Sequence, residues 1–100
     1  MRITEIQGIH LELTPAIKAH VEKKLKSVER VSSTFSPCDV RADVGKTSNH
    51  HAKGKIFMAD FTMTIPGTIL RAEAVEEDLY DAIDSAVENL KRQITKYKEK

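Results

Sequence analysis

Residues 55–74 read KIFMADFTMTIPGTILRAEA, and they decide the fold. Apolar and polar side chains alternate on both sides of Pro66-Gly67, which is the period of a strand with one buried face. Proline presets the first central angle of a type II turn, and glycine accepts the positive angle that follows. The stretch therefore predicts two strands, 55–65 and 68–74, that run antiparallel and are joined by this turn. The buried face of the first strand is expected to carry Phe57, Ala59, Phe61, Met63 and Ile65.

Two further strands precede this hairpin. CDVRADVGK, residues 38–46, alternates cleanly and predicts a half-buried strand. Its inward side chains are expected to be Cys38, Val40, Ala42 and Val44. The polar segment 47–54 then forms a loop, and RITEIQG near the N-terminus predicts a short strand that ends at Gly8.

Two segments show the periodicity of amphipathic helices with one buried stripe. In the first, LELTPAIKAHVEKKLKSVER (11–30), Thr14 is a candidate N-cap and Pro15 suits the first helical position. Its apolar stripe is expected to contain Leu13, Ile17, Val21, Leu25 and Val28. The second segment is DLYDAIDSAVENLKRQITKYKEK (78–100), with a stripe formed by Leu79, Ile83, Val87, Leu90 and Ile94.

The resulting order, β-α-β-β-β-α, predicts an α+β two-layer sandwich. Both helices are expected to pack on one face of a four-stranded antiparallel sheet. A chain of 100 residues suggests a single domain over residues 1–100. Because both helices would cover the same face, we expect them to be neighbours.

The composition, with 40% hydrophobic and 31% charged residues, is typical of a soluble globular protein. Cys38 is the sole cysteine, so the chain forms no internal disulfide, and a reducing compartment is favoured. The N-terminal residues contain no long apolar run, so neither a signal peptide nor a membrane span is expected. These features predict a cytoplasmic location.

Charge is strongly segregated along the chain although the net charge is only +1. Residues 72–88 contain seven acidic side chains and no basic one, whereas residues 89–100 contain five basic side chains and one acidic one. Helix-dipole complementarity explains charges in the terminal turns only, and Lys91 and Arg92 lie farther inside. The first helix carries a second group of basic residues. The pattern indicates either two ordinary solvated helix faces or one continuous positive surface that binds phosphate backbones. Aromatic side chains are scarce, which favours recognition of RNA shape and backbone over base stacking.

The same segments resemble a known family. EEDLYDAIDSAVENLKRQITKYK (76–98) has the acidic start, aromatic-x-Ala-Ile-Asp segment, Leu-x-Arg-Gln core and basic end of the ribosome hibernation-promoting factors and ribosome-associated translation inhibitors. IQGIHLELTPAIKAHVEKKL (6–25) resembles the opening strand and first helix of the same family. The resemblance covers essentially the whole chain.

The resemblance implies a fold similar to double-stranded RNA-binding domains, with an extra N-terminal strand. It also implies binding to rRNA of the small ribosomal subunit in the decoding channel, around the A and P sites, where the protein would exclude messenger and transfer RNA. No cofactor, small-molecule substrate or membrane is implied. The chain stops at Lys100, so it resembles either the short type, which lacks the second, dimerising domain, or a long member that is cut before that domain. A monomer off the ribosome is expected.

By position, the family's basic helix faces fall on eight residues of this sequence, which are therefore the predicted rRNA contacts: Lys23, Lys24, Lys26, Arg30, Lys91, Arg92, Lys96 and Lys98. Weaker candidates on or beside the strands are Arg41, Lys46, Lys53 and Lys55. Tyr80 and Asp84 are expected to hold the second helix in place.

Two other classes of function compete with this interpretation. An enzyme is disfavoured because His50-His51 lie in a loop without ligands at metal-binding spacing, and no glycine-rich phosphate loop is present. We therefore expect no catalytic or metal-binding residues. A protein-interaction module without ribosome binding remains the alternative, since the second face of KIFMADF is partly apolar. Steep salt dependence of binding would distinguish a ribosome factor from such a module.

Overall fold

The computed structural model describes residues 1–47 and 54–99. It contains four strands and two helices in the predicted order: β1 (Arg2–Ile9), α1 (Pro15–Ser32), β2 (Asp39–Lys46), β3 (Phe57–Ile65), β4 (Thr68–Glu76) and α2 (Leu79–Lys98). Both helices pack on one face of a four-stranded sheet, so the predicted α+β class is confirmed.

The hairpin predicted around Pro66-Gly67 is present. β3 and β4 pair antiparallel, with Ile65 opposite Thr68. Gly67 has a φ of 86°, as the turn chemistry requires. β2 pairs antiparallel with β3 on its other side, which completes the predicted meander.

The expectation of an antiparallel sheet throughout is wrong for β1, because β1 and β2 are parallel and the sheet is mixed. The reason is α1, which carries the chain from the end of β1 back along the sheet before β2 begins. Parallel neighbours need such a crossover. Gly45 lies opposite Ile9 in this pair, and a Cβ atom there would clash with the Ile9 carbonyl oxygen. A residue without a side chain is therefore required for β1 to approach β2 here.

Each helix begins after a residue whose side chain accepts a hydrogen bond from a free backbone amide of the first turn. The Thr14 hydroxyl accepts a hydrogen bond from the Ile17 amide at 3.2 Å, and Pro15 takes the first helical position, as predicted. Asp78 caps α2 by accepting from the Asp81 amide at 3.2 Å. Leu13, which was expected in the α1 stripe, instead lies before the helix and is only partly buried against the core.

One core joins the helices and the inner face of the sheet. The predicted stripes of α1 and α2 are buried in it apart from Leu13. The sheet contributes Val40, Ala42, Val44, Ala59, Phe61, Met63, Ile65 and Ala72, and Cys38 enters the same core from the position before β2. Phe57 is only partly buried, because it lies at the start of β3 near the rim of the core.

The opposite face of the sheet is open and carries ion pairs between neighbouring strands. Arg71 on β4 binds Asp60 on β3 through two contacts of 2.6 and 3.2 Å. Asp60 is only 6% exposed although it lies on this face, so Arg71 supplies the charge that its carboxylate needs. Arg2 and Asp39 form a similar pair between β1 and β2 at 3.2 Å. The open face is thus largely polar.

The outer edge of β4 is covered by α2. Asn89 Nδ2 donates to the carbonyl of Glu73 at 3.1 Å, and Gln93 Nε2 donates to the carbonyl of Arg71 at 2.6 Å. The two amides are four residues apart, so they project from the same side of α2. Backbone carbonyls of an edge strand usually face water or a new strand, and here the helix satisfies two of them.

Cys38 is buried, as predicted, immediately before β2 begins, and loss of water raises the pKa of its thiol. We expect the folded protein to react with a thiol reagent at pH 8 far more slowly than the protein in urea, since only the thiolate is a nucleophile. Timed labelling followed by mass spectrometry measures both rates. Because the folded thiol holds its proton more tightly, the free energy of unfolding should also decrease once the pH rises above the pKa that the thiol has in the unfolded chain. Equal labelling rates with and without urea would contradict the burial.

Candidate nucleic-acid interface

The two helices are neighbours, as expected, and they run in the same direction. Near their starts, His20 of α1 lies 2.8 Å from Asp84 of α2. Near their ends, the Lys98 ammonium of α2 donates to the Val31 carbonyl of α1 at 3.1 Å. The parallel arrangement brings the basic C-terminal halves of both helices to the same end of the molecule.

Three of the predicted contact residues form a column on the outer side of α1. Lys23, Lys26 and Arg30 are exposed and follow one another at spacings of three and four residues. Within residues 1–47 and 54–99, none of these side chains has an ion-pair partner. Their charges are therefore available to an external anion.

Arg92 and Lys96 are the corresponding residues of α2. Both are exposed, and in the part of the chain that the structure describes neither forms an ion pair. They border a cleft toward the end of α1, together with Val31 and Thr95, and a second cleft along β4, together with Gln93. Arg92 and Lys96 thus occupy the outer ridge of α2.

The other three predicted residues are held by contacts within the protein. Lys24 lies 3.6 Å from Asp84, and Lys91 lies 3.4 Å from Glu88. Lys98 caps a carbonyl in the last turn of α1, where backbone oxygens have no partner within the helix. Within residues 1–47 and 54–99, the structure therefore separates the eight predicted residues into five cations with neither an ion pair nor a side-chain hydrogen bond and three engaged ones, a division that the sequence does not reveal.

Asp84 joins the helices at their seam. Its Oδ1 atom lies 2.8 Å from His20 Nε2 and 3.6 Å from Lys24 Nζ. The His20 ring packs edge-on against Tyr80, with ring centroids 4.7 Å apart. These contacts agree with the expected positioning role of Tyr80 and Asp84. His20 was not among the residues predicted for the site, because its partner Asp84 lies 64 residues away in the chain.

The weaker candidates lie elsewhere. Arg41 is on the open face of the sheet, where it donates to Gln7 at 3.0 Å and lies 3.5 Å from Asp43. Lys46 and Lys55 flank the loop between β2 and β3. Lys53 and the pair His50-His51 fall outside the described residues.

Within the described ranges, no cluster of histidine, cysteine or carboxylate side chains has the arrangement of a metal site. The helices in those ranges also include none with the length and apolar character needed to cross a bilayer. What the geometry offers is an exposed row of cations on each of two parallel helices, which suits a polyanion.

Comparison with known proteins agrees with the resemblance seen in the sequence. The family model described as sigma 54 modulation protein / S30EA ribosomal protein matches residues 4–100. The chain belongs to this family. Among its relatives is the ribosome hibernation promotion factor of Bacillus subtilis strain 168, which is 38% identical over 97 residues. That of Deinococcus radiodurans is 31% identical over 98 residues.

The chain spans about half the length of these relatives, 48% and 50% respectively. Solved structures match it over nearly its full length. The N-terminal domain of Protein Y from Thermus thermophilus matches with a TM-score of 0.79, 31% identity and coverage of 97% of this chain and 99% of that one. A ribosomal subunit interface protein from Coxiella burnetii matches with a TM-score of 0.82, 25% identity and full coverage of both chains. These matches confirm the fold.

Proposed function

We propose that this protein is a ribosome-associated hibernation factor that binds rRNA of the small subunit through its helix layer. The observation that carries the proposal is that five of the eight predicted contact residues are exposed and, within the described residues, have neither an ion pair nor a side-chain hydrogen bond: Lys23, Lys26, Arg30, Arg92 and Lys96. Family membership supports a ribosomal partner, since curated relatives are named as hibernation promotion factors.

The proposed mechanism is steric and electrostatic. Each phosphate neutralised by a lysine or arginine releases condensed counterions, which supplies affinity without reading the base sequence. The protein would lie in the decoding channel, around the A and P sites, and exclude messenger and transfer RNA while it is bound. No bond is made or broken, so the mechanism requires no cofactor and no catalytic group.

A protein-interaction module is the second candidate, and one observation favours it. Ile69 and Val75 on the open face of β4 are 62% and 41% exposed. Exposed apolar side chains can contribute to a protein interface, although these two are six residues apart on the strand and do not form one continuous patch. The same face carries the Arg71–Asp60 and Arg2–Asp39 pairs, however, and offers only a small apolar area.

Co-sedimentation of the purified protein with small ribosomal subunits across a salt series tests the proposal. We expect strong binding at low salt, with the affinity decreasing steeply as the salt concentration rises. Subunits already loaded with messenger and transfer RNA should bind less protein than empty ones, because the channel is occupied. No binding at any salt concentration would overturn the proposal and favour the protein partner. Equal binding to loaded and empty subunits would overturn the location in the channel.

A further inference from the structure

Glu88 of α2 is a carboxylate that lines clefts together with the cations of both helices. It is exposed and borders the cleft that α2 forms with Lys23 and Lys24 of α1. It also borders the cleft that contains Arg92 and Lys96. A phosphate that approaches either group of cations therefore meets this negative charge.

Among the described residues, Glu88 forms one ion pair, with Lys91. The distance from Lys91 Nζ to Glu88 Oε1 is 3.4 Å, and the two residues are three apart on α2. The Lys91 side chain is 28% exposed in the groove between the helices, whereas that of Glu88 is 66% exposed. Exposed pairs of this kind contribute little to folding stability. The main consequence of the pair is therefore electrostatic, because Glu88 neutralises the charge of Lys91, which faces the groove.

We propose that Glu88 withholds Lys91 from rRNA phosphate and so limits the affinity of the surface. This inference rests on the proposed function. The role differs from that of Asp84, which lies within reach of both His20 and Lys24 and connects the two helices. Glu88 touches no residue of α1 through an ion pair in the described part of the chain, so the helices do not depend on its charge.

The size of the effect follows from counterion release. Each phosphate contact changes the logarithm of the binding constant by about 0.9 per tenfold change in salt on a duplex, and by about 0.7 on a single strand. Glu88→Gln frees Lys91 for one further contact. The slope of the logarithm of the binding constant against the logarithm of the salt concentration should therefore steepen by about 0.7–0.9. If the variant and wild type bind equally at 1 M salt, the variant should bind roughly five- to eightfold more tightly than wild type at 0.1 M salt.

The test compares Glu88→Gln with wild type in co-sedimentation with small subunits at several salt concentrations. The matched control is Glu5→Gln, which makes the same charge change at an exposed position of β1. We expect tighter binding and a steeper slope for Glu88→Gln, and wild-type binding for Glu5→Gln. The double variant Glu88→Gln/Lys91→Gln should lose the whole gain, because the freed ammonium is then absent.

Each other outcome overturns the inference. Wild-type binding of Glu88→Gln would overturn it. A gain that survives in the double variant would also overturn it, because Lys91 would then not be the cation that Glu88 withholds. An equal gain for Glu5→Gln would mean that only net charge matters. Circular dichroism of each variant establishes that it is folded. Failure of wild type itself to bind subunits would instead overturn the proposed function, so the two failures are distinguishable.

Discussion

Exchanging both Arg92 and Lys96 for glutamate should abolish co-sedimentation with small ribosomal subunits while leaving the protein folded. Both side chains are exposed and lie outside the buried stripe of α2. Each lost phosphate contact makes the slope of the logarithm of the binding constant against the logarithm of the salt concentration shallower by about 0.9. If the variant and wild type bind equally at 1 M salt, losing two contacts weakens binding of the variant roughly sixtyfold at 0.1 M salt. Repulsion between the new carboxylates and phosphate adds to this, so we expect a loss of at least about a hundredfold.

The control for this experiment is a charge reversal at the other end of the helix layer. Lys18 is exposed near the start of α1, far from the basic ends of the helices. Lys18→Glu therefore makes the same change of charge as each of the two substitutions, but outside the proposed interface. It should weaken binding far less than Lys96→Glu alone. Wild-type affinity of the Arg92→Glu/Lys96→Glu variant, with a native circular dichroism spectrum, would contradict the proposed interface.

The second large effect concerns stability. Phe61→Ala should lower the free energy of unfolding by about 3–5 kcal/mol, because it removes a large aromatic side chain and leaves a cavity in the core. Phe61 is 0% exposed on the inner face of β3, beneath the helix layer. Urea denaturation followed by circular dichroism measures the change.

Ile69→Ala is the matched control, since Ile69 lies on the open face of the neighbouring strand and is 62% exposed. A loss of about 0.5 kcal/mol or less is expected there, as for most surface substitutions. If Phe61→Ala were no more destabilising than Ile69→Ala, the assignment of the inner and outer faces of the sheet would be wrong.

Local patterns were sufficient to predict much of the fold. The alternation around Pro66-Gly67 placed the β3–β4 hairpin, and Thr14-Pro15 placed the start of α1, because these signals depend on neighbouring residues only. The direction of β1 was not predictable in the same way. Its hydrophobic pattern is compatible with either direction, and the parallel pairing with β2 depends on the path of α1 between them.

The candidate site was predicted in position but not in detail. Helical periodicity places Lys23 and Arg92 away from the buried stripes, and this requires no tertiary information. Whether a cation is available depends on contacts across the seam, such as that between Lys24 and Asp84. The Lys98 contact with the Val31 carbonyl joins residues 67 apart in the chain. Such pairs require the relative placement of the helices, which single-sequence patterns do not contain.

The hydrogen bonds from Asn89 and Gln93 to β4 limit how copies of this protein can associate through their sheets. Growth of a fibre by strand addition requires every molecule to offer two open edges, one for each neighbour. Here β1 is at the opposite end of the sheet and pairs, within the described residues, with β2 alone. Because Asn89 and Gln93 already bind two carbonyls of the β4 edge, a strand could be added there only by displacing these hydrogen bonds, so association through β1 would favour a closed pair over an extended sheet.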